Sequence, residues 1–126
     1  MANFHQAAQR HLKDASILLS ASCFDNSCYH SGYSTECTIK LVLQLTKQQW
    51  RGHLHDLIPL VQGKAATYVD VQELKKMKIC APIVGWSSEM RYDPDGLQLS
   101  QATDWFGEAS NFYSKTHTQL VANGEL

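Results

Sequence analysis

At 126 residues the chain fits one domain, residues 1–126, and a chain of this length buries roughly two-thirds of the surface its unfolded form exposes, enough for a core without staples. Hydrophobic residues make up 44% and charged residues only 18%, a low share that hints at surface covered by a partner. The net charge of −1 excludes the basic excess of a general nucleic-acid binder, and no DNA partner is expected.

The periodicity is helical nearly throughout. A first helix is predicted from Asn3 to about Ser22, with Phe4, Ala8, Leu12, Ala15, Leu18, Leu19 and Ser22 on one stripe and Asn3 as N-cap. Cys23 to Asn26 read as a turn, with Asp25 or Asn26 as the next cap. The second helix, roughly Ser27 to Lys47, is apolar over so much of its circumference that it should lie centrally, packed on several sides.

Gln48 to Leu54 read as a loop. Asp56 is placed to cap a short helix reaching Val61, with Pro59 in its first turn and Gly63 ending it. Asp70 and Glu73 are spaced like a capping box, opening a helix through about Cys80. Lys75, Lys76 and Lys78 read as its solvated face. Trp86 to Tyr92 is a short helical or irregular segment, and Asp93-Pro94-Asp95-Gly96 is a turn signal. The last helix runs from about Ser100 to Ala122, with Ala102, Trp105, Phe106, Ala109, Phe112, Tyr113, Thr116 and Leu120 on its apolar stripe. The expected fold is therefore all-α: an antiparallel bundle of three long helices plus one or two short ones.

The N-terminus has no apolar signal-peptide core, and no apolar run approaches the ~18 residues a membrane span needs. A cytoplasmic chain is expected, with no membrane association. Its four cysteines, Cys23, Cys28, Cys37 and Cys80, should then be free thiols, with Cys37 a small buried hydrophobe. No CxxC occurs. His53 and His55 form an HxH pair without a third spaced ligand, so neither metal nor other cofactor is expected. No nucleophile sits in a recognisable elbow, which argues against a catalytic triad.

Two groups of residues do not fit a bland core. Glu36 and Lys40 are spaced i, i+4, the favourable order for an ion pair. If exposed they are a solvated pair; if buried they need partners, for which His55, Asp56 and Arg91 are the candidates. Gly32 sits inside the second helix at a cost of about 1 kcal/mol relative to alanine, which predicts close approach of another backbone. The second group is Trp86 to Pro94, where Trp86, Arg91 and Tyr92 form either a core wedge with a paired arginine or a site at which Arg91 meets an anion.

The run Tyr29-His30-Ser31-Gly32-Tyr33-Ser34-Thr35-Glu36-Cys37-Thr38-Ile39-Lys40 resembles the central helix of HEPN domains (higher eukaryotes and prokaryotes nucleotide-binding). His55-Asp56-Leu57 resembles the short segment that follows it there. Trp86 to Pro94 resembles that family's Arg-Tyr-Pro region, with Asp93 inserted before Pro94. His11, Asp14 and Ala15 agree with it as well. The resemblance covers nearly the whole chain. It implies a four- to five-helix bundle, usually a homodimer, in toxin–antitoxin or other defence systems, in some members paired with a small nucleotidyltransferase or an antitoxin. It also implies binding of nucleotide or RNA, with Arg91, Lys40 and His55 as polar contacts and Tyr92 or Trp86 as a stacking surface.

The cutting members of that family carry Arg-x(4–6)-His, acting across the dimer interface without a metal. Here the windows after Arg10, Arg51 and Arg91 hold Ala15-Ser16-Ile17, Asp56-Leu57-Ile58 and Gly96-Leu97-Gln98. None is histidine, and these are the only arginines. The expectation leans away from an enzyme: a domain binding a nucleotide, RNA or partner protein, with a ribonuclease built around His55 or His30, or an accessory subunit of a nucleotidyltransferase pair, as alternatives.

Overall fold

The computed structural model describes residues 2–82, 84–90 and 96–126. Regular structure among them is all helical: α1 (Phe4–Ser20), α2 (Phe24–Leu45), α3 (Leu54–Leu57), α4 (Val71–Lys76) and α5 (Leu99–Ala122), with 3₁₀ turns at Ile58–Leu60, Gly63–Thr67 and Lys78–Cys80. Arg91, Tyr92 and residues 93–95, where the sequence predicts a turn, lie outside the described residues. No helix among the described residues is long and apolar enough to cross a membrane.

Asn3 caps α1 as its sequence position suggests, its side chain accepting the Gln6 N–H at 3.0 Å. Ser22 then takes a positive φ of 62°, which ends the helical path, and α2 starts at Phe24. The cap position of α2 is Cys23, not Asp25 or Asn26, and its side chain makes no capping bond. Asp25 instead accepts the Leu97 N–H, tying the start of α2 to the start of α5.

Between Ser27 and Leu43 every residue of α2 except His30, Tyr33 and Lys40 is buried. This is the central helix. Its hydroxyls make that possible. Ser27 Oγ donates to Ala15 O at 2.8 Å and Ser34 Oγ to Ala8 O at 2.9 Å, so the antiparallel α1 lies close with Ala8 and Ala15 fully buried. Thr35 and Thr38 donate back to Ser31 O and Ser34 O within the helix. The start of α1 also meets the end of α5, where His5 stacks on Tyr113 and His117, so α1 runs antiparallel to both long partners.

In α5 the buried positions are Ala102, Trp105, Ala109, Phe112, Thr116 and Leu120, while Phe106 and Tyr113 sit half-buried at the edges of the stripe. The connection from α2 to α5 differs more from expectation. α3 begins at Leu54, and Asp56 reaches back from its third position to accept the His53 N–H at 3.0 Å, capping from inside the helix. Gly63 opens a 3₁₀ turn instead of ending the short helix. Asp70 caps α4 by accepting from Gln72 and Glu73 N–H, but Glu73 turns outward to Lys115 of α5 at 3.3 Å. α4 stops at Lys76, short of Cys80, because Glu108 of α5 accepts the N–H groups of Lys78 and Ile79 at 2.8 and 3.2 Å. A carboxylate thus takes the donors that a longer helix would have used itself.

Candidate functional site

The polar ladder of α2 is buried, and Glu36 is its centre. The residue is 1% exposed. Its Oε2 accepts from Lys40 Nζ at 3.1 Å, and its Oε1 accepts from His53 Nδ1 at 3.1 Å and from the Leu54 N–H at 3.0 Å. A carboxylate without these donors would cost several kcal/mol to bury. The helix therefore uses it to hold the loop that opens α3. Of the three partners expected for a buried pair, neither His55 nor Asp56 plays that part, and Arg91 lies outside the described residues. His53, two residues earlier, reaches Glu36 because the loop before α3 is tightly turned.

That turn has a specific cause. Gly52 sits at φ +85°, and a Cβ there would fall 2.2 Å from Asp56 Oδ2. The bare glycine lets the Asp56 carboxylate fold back onto His53 N–H.

The second knot lies one to two turns earlier on α2. Trp86, 1% exposed, lies flat against Gly32: a Cβ on that glycine would meet Trp86 Cδ1 at 1.9 Å. The approach expected of a backbone is thus made by an indole. Trp86 Nε1 donates to Tyr29 O at 2.9 Å, and the ring packs edge-on against Tyr33 with centroids 5.0 Å apart. His55 Nε2 donates to Trp86 O at 2.6 Å. Gly32, Tyr29, Tyr33 and His55 together anchor the strand of chain that leads to Arg91. Buried on all sides, Trp86 offers no stacking face to a ligand, which corrects one of its two expected roles.

Other histidines are paired as well. His11 and His30 face each other across α1 and α2 with Nδ1 atoms 2.9 Å apart, so one ring donates and the other accepts. Burial holds both below the usual imidazole range, and the nearby Asp14 carboxylate partly offsets this in each. Tyr33 stacks on His11 at 5.2 Å. His5 lies parallel to His117 at 5.1 Å; burial lowers its pKa and the neighbouring imidazole lowers it further.

Depressions on the surface of the described residues offer room for a ligand. One of about 1140 Å³ lies between α4 and the second half of α5, where Tyr68, Met77 and Phe112 line it, and none of the sequence-predicted site residues among the described ones reaches it. Another, about 550 Å³, is lined by Gln49, Trp50, Arg51, Gly52, Asp56 and Leu60. Among the described residues, Asp56 is the one expected site residue in it. Trp50, Arg51 and His53 were not singled out for a ligand by periodicity, because loop residues carry no period. Their signal is compositional: an aromatic, a cation and a glycine side by side.

No family model, curated protein or solved structure matches the chain. Its function is therefore argued from the residues and their geometry.

Proposed function

We propose that this chain is a non-catalytic HEPN-like domain that binds a nucleotide or RNA, working as a cytoplasmic homodimer in a toxin–antitoxin or similar defence system. The observation that carries the non-catalytic part is the placement of four of the six histidines, together with the missing Arg-x(4–6)-His spacing. Metal-free cleavage of a phosphodiester needs a base at the attacking oxygen and an acid at the leaving oxygen, on opposite sides of one phosphorus. His11 and His30 are hydrogen-bonded to each other at 2.9 Å, too close to stand on either side of a phosphoryl group. His53 and His55 each spend one ring nitrogen on holding the fold, on Glu36 and on the Trp86 carbonyl. No arginine has a histidine at the family's spacing.

The binding part rests on how α2 is used. Its ladder of Glu36 and Lys40 and its Gly32–Trp86 contact hold two connecting segments, 49–56 and 84–90, against one helix. Those segments carry or lead to Arg51, Asp56 and Arg91. A scaffold that invests buried charge in fixing loops is suited to presenting a ligand surface. Lys40 and His55 serve it as positioning residues, and Arg91 is the anion contact the resemblance implies.

The test has two arms. In the first, the purified protein is incubated with RNA, and no cleavage is expected; cleavage lost in Arg91→Ala or in a single histidine variant overturns the non-catalytic reading. In the second, Tm is followed against nucleotides and short RNAs. A rise is expected, as for any ligand that binds the folded state alone. No rise with any of them, at concentrations up to millimolar, overturns the binding reading and favours an accessory subunit, for instance of a nucleotidyltransferase pair.

A further inference from the structure

The segment 49–56 has a composition and geometry that its structural duties do not use up. Trp50 is half-buried. Phe4 packs against it with ring centroids 5.6 Å apart at 72°, and Trp50 lines the 550 Å³ depression. Lys40 Nζ lies 5.9 Å from the Phe4 centroid, and the same ammonium bonds Glu36, which in turn bonds His53. The contacts close a ring from Trp50 through Phe4, Lys40, Glu36 and His53 back to the loop. His53 keeps 55% of its side chain in solvent. Arg51 is exposed and makes no ion pair or hydrogen bond among the described residues, although the exposed carboxylate of Asp56 lines the same depression. Asp56 spends Oδ2 on the His53 N–H.

An aromatic ring, a guanidinium without a partner among the described residues and a fixed carboxylate, all lining one depression, define a ligand. The indole takes a planar ring. The guanidinium takes a phosphate, for which its planar fork is well matched. The carboxylate accepts hydrogen from the ring's edge. Among the nucleobases, guanine presents a ring N–H and an amino group side by side on its Watson–Crick edge, and a carboxylate suits that pair better than it suits the edge of adenine, uracil or cytosine. A cavity of about 550 Å³ lies within the range that holds a small molecule.

We infer that the 49–56 segment is a binding site for a guanine nucleotide, free or within single-stranded RNA, with Trp50 stacking on the base, Asp56 reading its edge and Arg51 holding its phosphate. The inference shares its ligand class with the function proposed above and adds the base, the place and the three contacts.

Trp86 and Trp105 are 1% and 3% exposed, so among the three tryptophans Trp50 is the one a ligand can reach, and its fluorescence reports on this site. The full chain is titrated separately with guanosine monophosphate, with adenosine monophosphate, and with an oligouridine hexamer carrying either one guanine or none. Quenching is expected with guanosine monophosphate and with the guanine-bearing hexamer. Affinity should be about tenfold or more weaker for adenosine monophosphate and the guanine-free hexamer. Quenching by the hexamer alone assigns the site to guanine within RNA, and quenching by the mononucleotide alone assigns it to the free nucleotide; either supports the site.

Arg51→Ala should weaken binding of both probes about tenfold or more, with Tm unchanged. Asp56→Asn, which can still accept the His53 N–H, should remove the preference for guanine and leave stacking intact. Equal affinity for guanine and adenine in the unmodified protein overturns the base assignment. Binding measured by calorimetry that is insensitive to Trp50→Phe, Arg51→Ala and Asp56→Asn overturns the site but leaves the nucleotide-binding reading standing. No binding of any of these probes by fluorescence or calorimetry overturns the site. The Tm screen against other nucleotides then decides the wider reading separately.

Discussion

Gly32 and Trp86 are in contact so close that no side chain other than hydrogen fits between them: an added Cβ would sit 1.9 Å from Trp86 Cδ1 and 2.2 Å from Nε1. Two effects compete on substitution. Alanine gains about 1 kcal/mol of helix propensity over glycine. Overpacking a filled site costs about 1–3 kcal/mol and sometimes more. Here the indole is also fixed by its bond to Tyr29 O and by the backbone bond from Trp86 N to Ile79 O, so it cannot easily retreat. Gly32→Ala should therefore destabilise by about 2 kcal/mol in a denaturant titration, and the loss should shrink in the Trp86→Leu background. A neutral or stabilising Gly32→Ala would remove the indole from this place.

The Glu36 carboxylate predicts a different signature. Glu36→Ala leaves the Leu54 N–H and His53 Nδ1 without their acceptor and Lys40 without its counter-charge, at a cost of about 3 kcal/mol. Glu36→Gln keeps one acceptor oxygen and should cost clearly less. Lys40→Ala, removing a partner that is 17% exposed, should cost about 1 kcal/mol. If all three variants unfold at the same denaturant concentration, the carboxylate is not holding α3.

What the sequence made legible follows from period and spacing. The three long helices carry a 3.6-residue stripe, and their existence and most of their buried positions follow from it. The stripe did not separate Trp105, which is inside, from Phe106 and Tyr113, which are half-buried, and Ser22 is exposed beyond the end of α1. The i, i+4 spacing of Glu36 and Lys40 and the oddity of Gly32 both pointed to real contacts. The partners were not legible. Whether Glu36 meets His53 or His55 depends on a loop whose path is set by a positive φ at Gly52, and no local pattern encodes that path. The early stop of α4 is likewise decided by Glu108, thirty residues on from Lys78. The 550 Å³ depression was missed for the same reason: it is assembled from a loop and α3, around residues with no period of their own.

The core of α5 can be tested directly. Trp105→Ala should cost about 3–5 kcal/mol, since the side chain is 3% exposed among core residues. Phe106→Ala should cost markedly less, because that ring is only half-buried in the single chain. A Phe106 loss as large as that of Trp105, together with a fall in dimer content by light scattering, would place Phe106 in an interface between copies.

The cysteines separate by environment. Cys23 is exposed, whereas Cys28, Cys37 and Cys80 are buried. Burial pushes the Cys28 and Cys80 thiols up to about 12 and Cys37 up to about 11. Both access and thiolate content are then low for those three. One thiol per chain should react with a disulfide reagent in the native state and four in denaturant. Fast reaction of a second thiol would show local opening, of α2 if it is Cys28 or Cys37 and of the Lys78–Cys80 turn if it is Cys80.

The histidines set the response to acid. His5, His11 and His30 all have folded-state pKa values below the ordinary 6.5, chiefly through burial. Above that value each is neutral in both folded and unfolded chains and contributes no slope. As pH falls through about 6.5, the unfolded chain takes up protons that the folded chain resists, so stability drops. The loss levels off once pH is below the folded values, where both states are charged. Tm should therefore be flat at about pH 7–8 and decline towards about pH 5. At His11 and His30 the Asp14 carboxylate opposes the shift, so Asp14→Asn should lower both values further and steepen the decline. Replacing His11 and His30 together by glutamine should flatten it, leaving the smaller part due to His5. An acid decline unchanged by both substitutions would show that these histidines do not set the response to acid.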